Sequence, residues 1–245
     1  MNGIPYCGAP PLPGGAAWTF DPLVLLALCA AAFGLARAAR GLARAQGAAV
    51  ALGWVVLAAA LVSPLCSLAV ALFGARVAQH LLIVLVAAPL LAPAFMRLRA
   101  VRAGGTVTAG AVFAAVLWFW HLPAPYAATF HPDGIAWWWM HLTLLAGALW
   151  MWASAFAALP ARPEAAAMGG MLTGLQMSVL GGVLTFLPRP LYAPHAPDVT
   201  LPWGLTPLQD QQLGGLLMWV PGGLLFGAVL LGALVLALRE PARAD

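Results

Sequence analysis

The sequence predicts an all-α fold: a polytopic membrane helix bundle of about seven transmembrane helices, forming one integral membrane domain over residues 1–245. The first observation is charge, because only 7% of the residues are charged and 63% are apolar, whereas about a quarter of a soluble domain is charged. The second is length, because apolar stretches of about 20 residues, enough to cross a bilayer, recur along the chain. The third is that no connection between them could hold a soluble domain.

The predicted spans follow one another along the whole chain. Their approximate bounds are 21–37, 47–72, 76–96, 104–121, 134–158, 165–187 and 211–238. Tilt accommodates the long second span and the short fourth span. Membrane helices tolerate internal proline because neighbouring groups satisfy the freed carbonyls, and four prolines lie in the interior of these spans, beyond the first helical turn: Pro64, Pro89, Pro93 and Pro221. Residues 1–17 carry no basic stretch and no apolar core, so we expect no signal peptide.

Arginine sets the predicted orientation, since all eleven basic residues are Arg. Arg76 and Arg189 fall on one side of a seven-span topology. The other nine fall on the opposite side: Arg37, Arg40, Arg44, Arg97, Arg99, Arg102, Arg162, Arg239 and Arg243. The positive-inside rule therefore predicts an N-terminus outside and a C-terminus in the cytoplasm, in a bacterial inner membrane. The net charge of +4 comes from arginines that lie between the apolar stretches and set the topology. It therefore does not indicate nucleic-acid binding.

Three histidines are predicted to converge in the outer half of the membrane. His80, His121 and His141 lie at similar depth on the third, fourth and fifth spans, and an ionisable group inside a bilayer usually faces a partner or a cavity. Imidazole binds copper, zinc, iron and nickel, and sulfur ligands shift the preference towards Cu(I). Four sulfur-containing residues lie at the same level and favour copper: Met140, Met218, Cys66 and Cys7. The alternative is that each histidine only hydrogen-bonds a neighbouring helix.

The last span opens with an unusually polar stretch. Thr206 and Pro207 have the pattern of a helix N-cap followed by proline in the first turn. Asp210 is then either a carboxylate that stabilises the helix N-terminus or an oxygen ligand at the mouth of a metal site. Met218 falls on nearly the same helix face and would supply sulfur deeper in the membrane. Two glycine pairs are predicted to allow close helix packing: Gly214-Gly215 and Gly222-Gly223.

The three cysteines leave several interpretations open. Cys7 and Cys66 could meet near the outer surface and form a disulfide in an oxidising compartment, bind Cu(I), or do neither. Cys29 lies in the middle of the first span, where it is most simply a small apolar residue. An odd number of cysteines argues against a scaffold in which all are disulfide-bonded.

Several motifs together resemble the multi-span CtaG family of cytochrome c oxidase assembly proteins. Three of them are Val77–Leu82 with Ala87–Leu91, Trp120–Pro123 with Tyr126, and Trp203–Leu208 with Asp210–Gly215 and Met218-Trp219. The others are two short segments that each contain a cysteine, Pro5–Gly8 and Ser63–Cys66. The resemblance covers nearly the whole chain. It implies a role in building haem–copper oxidases through the copper centre of subunit I. An unrelated single-span copper chaperone shares the family label, and this chain does not have that architecture.

The function we expect is an assembly factor that handles copper at the outer membrane face, with no enzymatic activity. His80, His121 and His141 are the candidate core ligands, with Asp210 and Met218 as auxiliary ligands and Cys7 and Cys66 as further metal candidates. The expected partners are oxidase subunits, periplasmic copper chaperones and lipid. Two alternatives remain: a membrane redox protein whose paired histidines ligate haem, and a metal-free scaffold for nascent oxidase subunits. No phosphate-binding loop, catalytic triad or haem-attachment motif is present.

Overall fold

The computed structural model describes residues 4–98 and 105–239, and every regular element in these ranges is helical. The elements are α1 (Pro22–Ala38), α2 (Arg44–Val62), α3 (Pro64–Ala71), α4 (Phe73–Leu81), α5 (Ala88–Leu98), α6 (Thr106–His121), α7 (Pro123–Ala128), α8 (Ile135–Ala158), α9 (Pro163–Phe186), α10 (Pro197–Thr200) and α11 (Pro207–Arg239). A π-helical segment, Leu82–Ala87, joins α4 to α5, and a short 3₁₀ turn follows α10. The predicted all-α fold is confirmed over the described residues.

Four of the described helices are long and apolar enough to cross a membrane. They are Arg44–Val62, Phe73–Arg97, Ile135–Ala158 and Pro163–Phe186. Two shorter apolar helices, α1 and α6, accompany them. The chain is therefore a membrane protein, because helices of this length and composition require a lipid environment.

The second predicted span, 47–72, is wrong as a single helix. The structure ends α2 at Val62 and begins α3 at Pro64. The Ser63 hydroxyl accepts a hydrogen bond from the Leu65 amide at 3.3 Å, which caps the new helix. Proline has no amide hydrogen to continue the previous helix but fits a first turn well. By contrast, Pro93 lies inside a continuous helix, as predicted.

The π-helical segment is a second local departure from regular α-helix. The Ala88 amide bonds to the carbonyl of Ile83, five residues back, and Pro89, the next residue, has no amide hydrogen to donate. The carbonyl of Val84 instead accepts the indole N–H of Trp152 at 2.9 Å. A side chain of α8 thereby satisfies a backbone group that the segment releases. Such π-helical insertions are common at functional sites, and His80 lies two residues before this one.

The two ends of the bundle differ in chemistry. At one end, which we call the arginine end, an Arg97 guanidinium nitrogen donates to the Gly41 carbonyl at 3.4 Å and links the α1–α2 turn to α5. At the other end, which we call the cap end, the N-terminal segment 4–21 and the loop 187–206 cover the helices. The Trp203 indole joins the two by donating to the Pro11 carbonyl at 3.1 Å. Three arginines of the predicted pattern lie outside the described residues: Arg99, Arg102 and Arg243.

Glycine allows α11 to pack closely on its neighbours, as predicted for the first glycine pair. A Cβ added to Gly215 would lie 2.7 Å from the Gly181 carbonyl oxygen of α9, and one added to Gly214 would overlap the Phe73 ring of α4. At Gly223 of the second pair, the nearest atom would be 3.7 Å away, which is ordinary contact. The first pair therefore sets the position of α11, which carries Asp210 and Met218, against α4 and α9.

Candidate functional site

Two of the three predicted histidines are in direct contact in the core. The rings of His80 on α4 and His141 on α8 have centroids 5.3 Å apart, in an edge-to-face arrangement. The Nε2 atoms of both rings are buried, and neither has a hydrogen-bond partner among the described residues. A buried polar atom without a partner costs about 1–3 kcal/mol. Native proteins rarely leave such atoms unpaired, so each of the two nitrogens is expected to meet a bound group or an ordered water.

Backbone hydrogen bonds set the tautomer of two histidines. The Nδ1 of His141 donates to the Trp137 carbonyl at 2.9 Å, and the Nδ1 of His121 donates to the Leu117 carbonyl at 2.7 Å. Since a carbonyl only accepts, Nδ1 carries the proton in each ring and Nε2 carries the lone pair. A neutral imidazole held in this way by a second hydrogen bond is the usual form of a histidine metal ligand.

His80 also shares a cavity with His121. Two methionines, Met177 of α9 and Met218 of α11, complete its set of donor atoms. The space that the centre of a water-sized sphere can occupy in this cavity is about 10 Å³. This is enough for one water molecule or one ion. The rest of the wall is hydrocarbon, from Val77, Leu81, Val84, Phe113 and Leu117. The described residues contain no group of three or more His, Cys, Asp or Glu side chains that could hold a metal, so any metal here would need the thioethers.

Met177 is the one cavity residue with metal-ligand chemistry that sequence reasoning missed. It lies nine residues before the end of α9, and Met218 lies eleven residues after the start of α11. Both helices have that terminus at the cap end, so the two sulfurs have comparable depth. This matched depth was a signal available in the sequence.

Asp210 serves a neighbouring helix. Its carboxylate is fully buried and accepts the amides of Phe73 at 2.6 Å and Gly74 at 3.0 Å, at the start of α4. A carboxylate at this position also interacts favourably with the helix dipole. The N-terminus of α11 itself is capped by Thr206, as predicted, through its reciprocal hydrogen bonds with Gln209. Asp210 does not line the histidine–methionine cavity.

The cysteines take one of the alternatives that the sequence left open. Cys7 and Cys66 form a disulfide, which ties the N-terminal segment to α3 at the cap end. In this oxidised form neither sulfur is available as a thiolate ligand. Cys29 is free and lies exposed on α1.

A buried histidine of the loop 187–206 has a structural role that sequence reasoning missed. The Nδ1 of His195 donates to the Ala71 carbonyl at 3.0 Å, so its Nε2 accepts from the Tyr126 hydroxyl at 2.6 Å. Burial lowers the pKa of His195 to about 3, and the nearby Arg76 cation acts in the same direction. The ring is therefore neutral near pH 7, and its two nitrogens both serve to hold the loop on the bundle.

The fold and the site together define an all-helical membrane protein with a histidine–methionine cavity in its core. The family model for cytochrome c oxidase caa3 assembly factors (Caa3_CtaG) matches residues 27–240. The chain belongs to this family, which confirms the resemblance seen in the sequence. No curated protein and no solved structure matches the chain. Membership in an assembly-factor family indicates a non-catalytic role, in association with cytochrome c oxidase and the membrane.

Proposed function

We propose that this chain is an inner-membrane assembly factor that delivers copper to a haem–copper oxidase. The observation that carries the proposal is the contact between His80 and His141, whose buried Nε2 atoms have no partner among the described residues. Two unpaired nitrogens on neighbouring rings would together cost about 2–6 kcal/mol in an apolar core. A bound metal would remove this cost, because Nε2 of a neutral imidazole is a common ligand of copper.

The arrangement also suits transfer of copper from one site to another. His80 contacts His141 on one side and shares a cavity with His121 on the other. A copper ion held by exchangeable neutral ligands can pass from donor to donor by replacing one ligand at a time. The donors and acceptors we propose are periplasmic copper chaperones and the oxidase subunits. Asp210 would act from the rim only indirectly, by fixing the start of the helix that carries His80.

The proposal includes seven membrane crossings, with the cap end outside and the arginine end in the cytoplasm. The positive-inside rule supports this orientation. The disulfide between Cys7 and Cys66 supports it independently, because disulfides persist in the periplasm and are rare in the cytosol. The unpaired histidines would then lie in the outer half of the membrane, since His141 lies six residues into α8, or about 9 Å at 1.5 Å per residue.

Reporter fusions test the orientation directly. Fusions near Ala128 and Pro197 are expected to be active only for a periplasmic reporter, and fusions near Arg99 and at the C-terminus only for a cytoplasmic one. The physical reason is that basic connections are retained on the cytoplasmic side. A cytoplasmic loop near Ala128 would contradict the orientation and the outer-face action with it.

Deletion of the protein tests copper delivery. In cells that lack it, we expect the oxidase to accumulate with haem but with a reduced copper-to-haem ratio. Added copper should restore part of the oxidase activity, because an unassisted site fills further as free metal rises. Haem absorbance and metal analysis of the purified oxidase measure both quantities, and re-expression of the chain is the control. A loss of oxidase subunits with no response to copper would favour a metal-free scaffold and contradict the proposal.

A further inference from the structure

We infer that the cavity between α4, α6, α9 and α11 is a site selective for Cu(I), held by two imidazoles and two thioethers. The four donors are His80, His121, Met177 and Met218. The inference rests on the proposed function, since it names the oxidation state and the ligands of the copper that the chain would handle. It adds Met177 to the ligand set and gives Met218 a defined place in it.

Each of four helices contributes one donor to this cavity. All four side chains are buried, with at most 8% of their surface exposed. The cavity has room for a single ion. Four side chains from four different helices thus line one ion-sized space, and the packing of the bundle holds them in place.

The donor atoms on the histidines are available for a metal. The Nδ1 of His121 is committed to its own helix, so its Nε2 is the nitrogen that can bind. The Nε2 of His80 is buried and has no partner among the described residues. Met177 and Met218 line the cavity. Because methionine sulfur is a weak hydrogen-bond acceptor, these side chains gain little from any occupant other than a soft metal or hydrocarbon.

Charge selects the oxidation state. All four donors are neutral, and the cavity wall contains no carboxylate and no thiolate. The cost of moving an ion from water into a medium of low dielectric rises with the square of its charge, so a divalent ion is penalised far more than a monovalent one. The cation Arg76 lies one turn before His80 on α4, and its charge repels a divalent ion about twice as strongly as a monovalent one. Thioether donors add an intrinsic preference for Cu(I) over Cu(II) and Zn(II).

The test uses the purified full chain in detergent, prepared without a histidine tag and kept anaerobic. Cu(I) is titrated in competition with bathocuproine disulfonate, and X-ray absorption at the copper edge identifies the scattering atoms. The variant carries Met177→Leu and Met218→Leu, which remove both sulfurs and keep the apolar volume. The matched control is Met140→Leu, since Met140 is fully buried on α8 but does not line the cavity.

We expect the wild-type chain to bind one Cu(I) with both nitrogen and sulfur scatterers, and Zn(II) not to displace it. The double leucine variant should lose the sulfur scattering and about tenfold or more of its Cu(I) affinity, while the control keeps both. Unchanged affinity or retained sulfur scattering in the double variant would overturn the Cu(I) site and leave copper delivery standing. Wild-type protein that binds no Cu(I) would also overturn it, and the copper content of the oxidase in deletion cells would then decide copper delivery separately.

Discussion

Cells whose only copy of this chain carries both His80→Ala and His121→Ala are expected to lose about tenfold or more of their oxidase activity. Changes around a metal site that leave its ligands in place already lower affinity by roughly 10–100-fold, so removal of two ligands should cost at least as much. Added copper should restore part of the activity, because a weakened site fills further at higher free metal. Oxidase activity in membranes, with and without added copper, is the measurement.

The variant protein is expected to accumulate. The Nε2 of His80 has no partner to lose among the described residues, and His121 uses its Nδ1 only on a carbonyl of its own helix. The control is His131→Ala, which removes an exposed histidine that pairs with Asp133 at 3.2 Å near the cap end and should leave activity unchanged. Normal oxidase activity in the double variant would defeat the role of these histidines in copper delivery. If the double variant fails to accumulate, the single change His80→Gln, which keeps a polar side chain, provides the same comparison.

Hydropathy predicted the helices well because the bilayer requires almost every residue of a span to be apolar and its backbone to be helical. Prolines marked the limit of this reasoning. Pro93 and Pro64 look alike in an apolar run, yet the first lies inside α5 and the second begins α3. The distinguishing feature is local: Ser63 precedes Pro64 and supplies a cap for a new helix. A serine–proline pair in an apolar run is therefore a helix-start signal that the sequence itself carries.

The site was predicted by depth, and depth does not specify the direction in which a side chain points. His80, His121 and Met218 were selected because polar or sulfur atoms at matched depth are conspicuous in an apolar chain. Met177 has the same depth but resembles any other apolar residue of α9, so depth did not single it out, and the packing of four helices places it in the cavity. Asp210 is the opposite case, since the residue was conspicuous in the sequence but its role was not. Its partners, the Phe73 and Gly74 amides, lie more than 130 residues away in the sequence.

Removal of the disulfide through Cys7→Ser with Cys66→Ser is expected to lower the free energy of unfolding by about 2–5 kcal/mol. The bond connects positions 59 residues apart, so its loss frees a long loop in the unfolded chain. Thermal unfolding in detergent measures the effect, and a reductant should lower the wild-type transition in the same way. Cys29→Ser, a change at the exposed free cysteine, should leave both the transition and its response to reductant unchanged.

The disulfide also connects the outer segment to the histidine pair. Tyr6, next to Cys7, stacks on Trp137 with ring centroids 4.6 Å apart, and the Trp137 ring lies 4.1 Å from that of His141. Without the covalent bond, the segment should leave this stack more often and open His141 to solvent. Hydrogen exchange and modification of the His141 ring should therefore increase in the double serine variant and remain unchanged in the Cys29 control. Equal protection of His141 in all three proteins would show that the aromatic stack holds the segment without the disulfide.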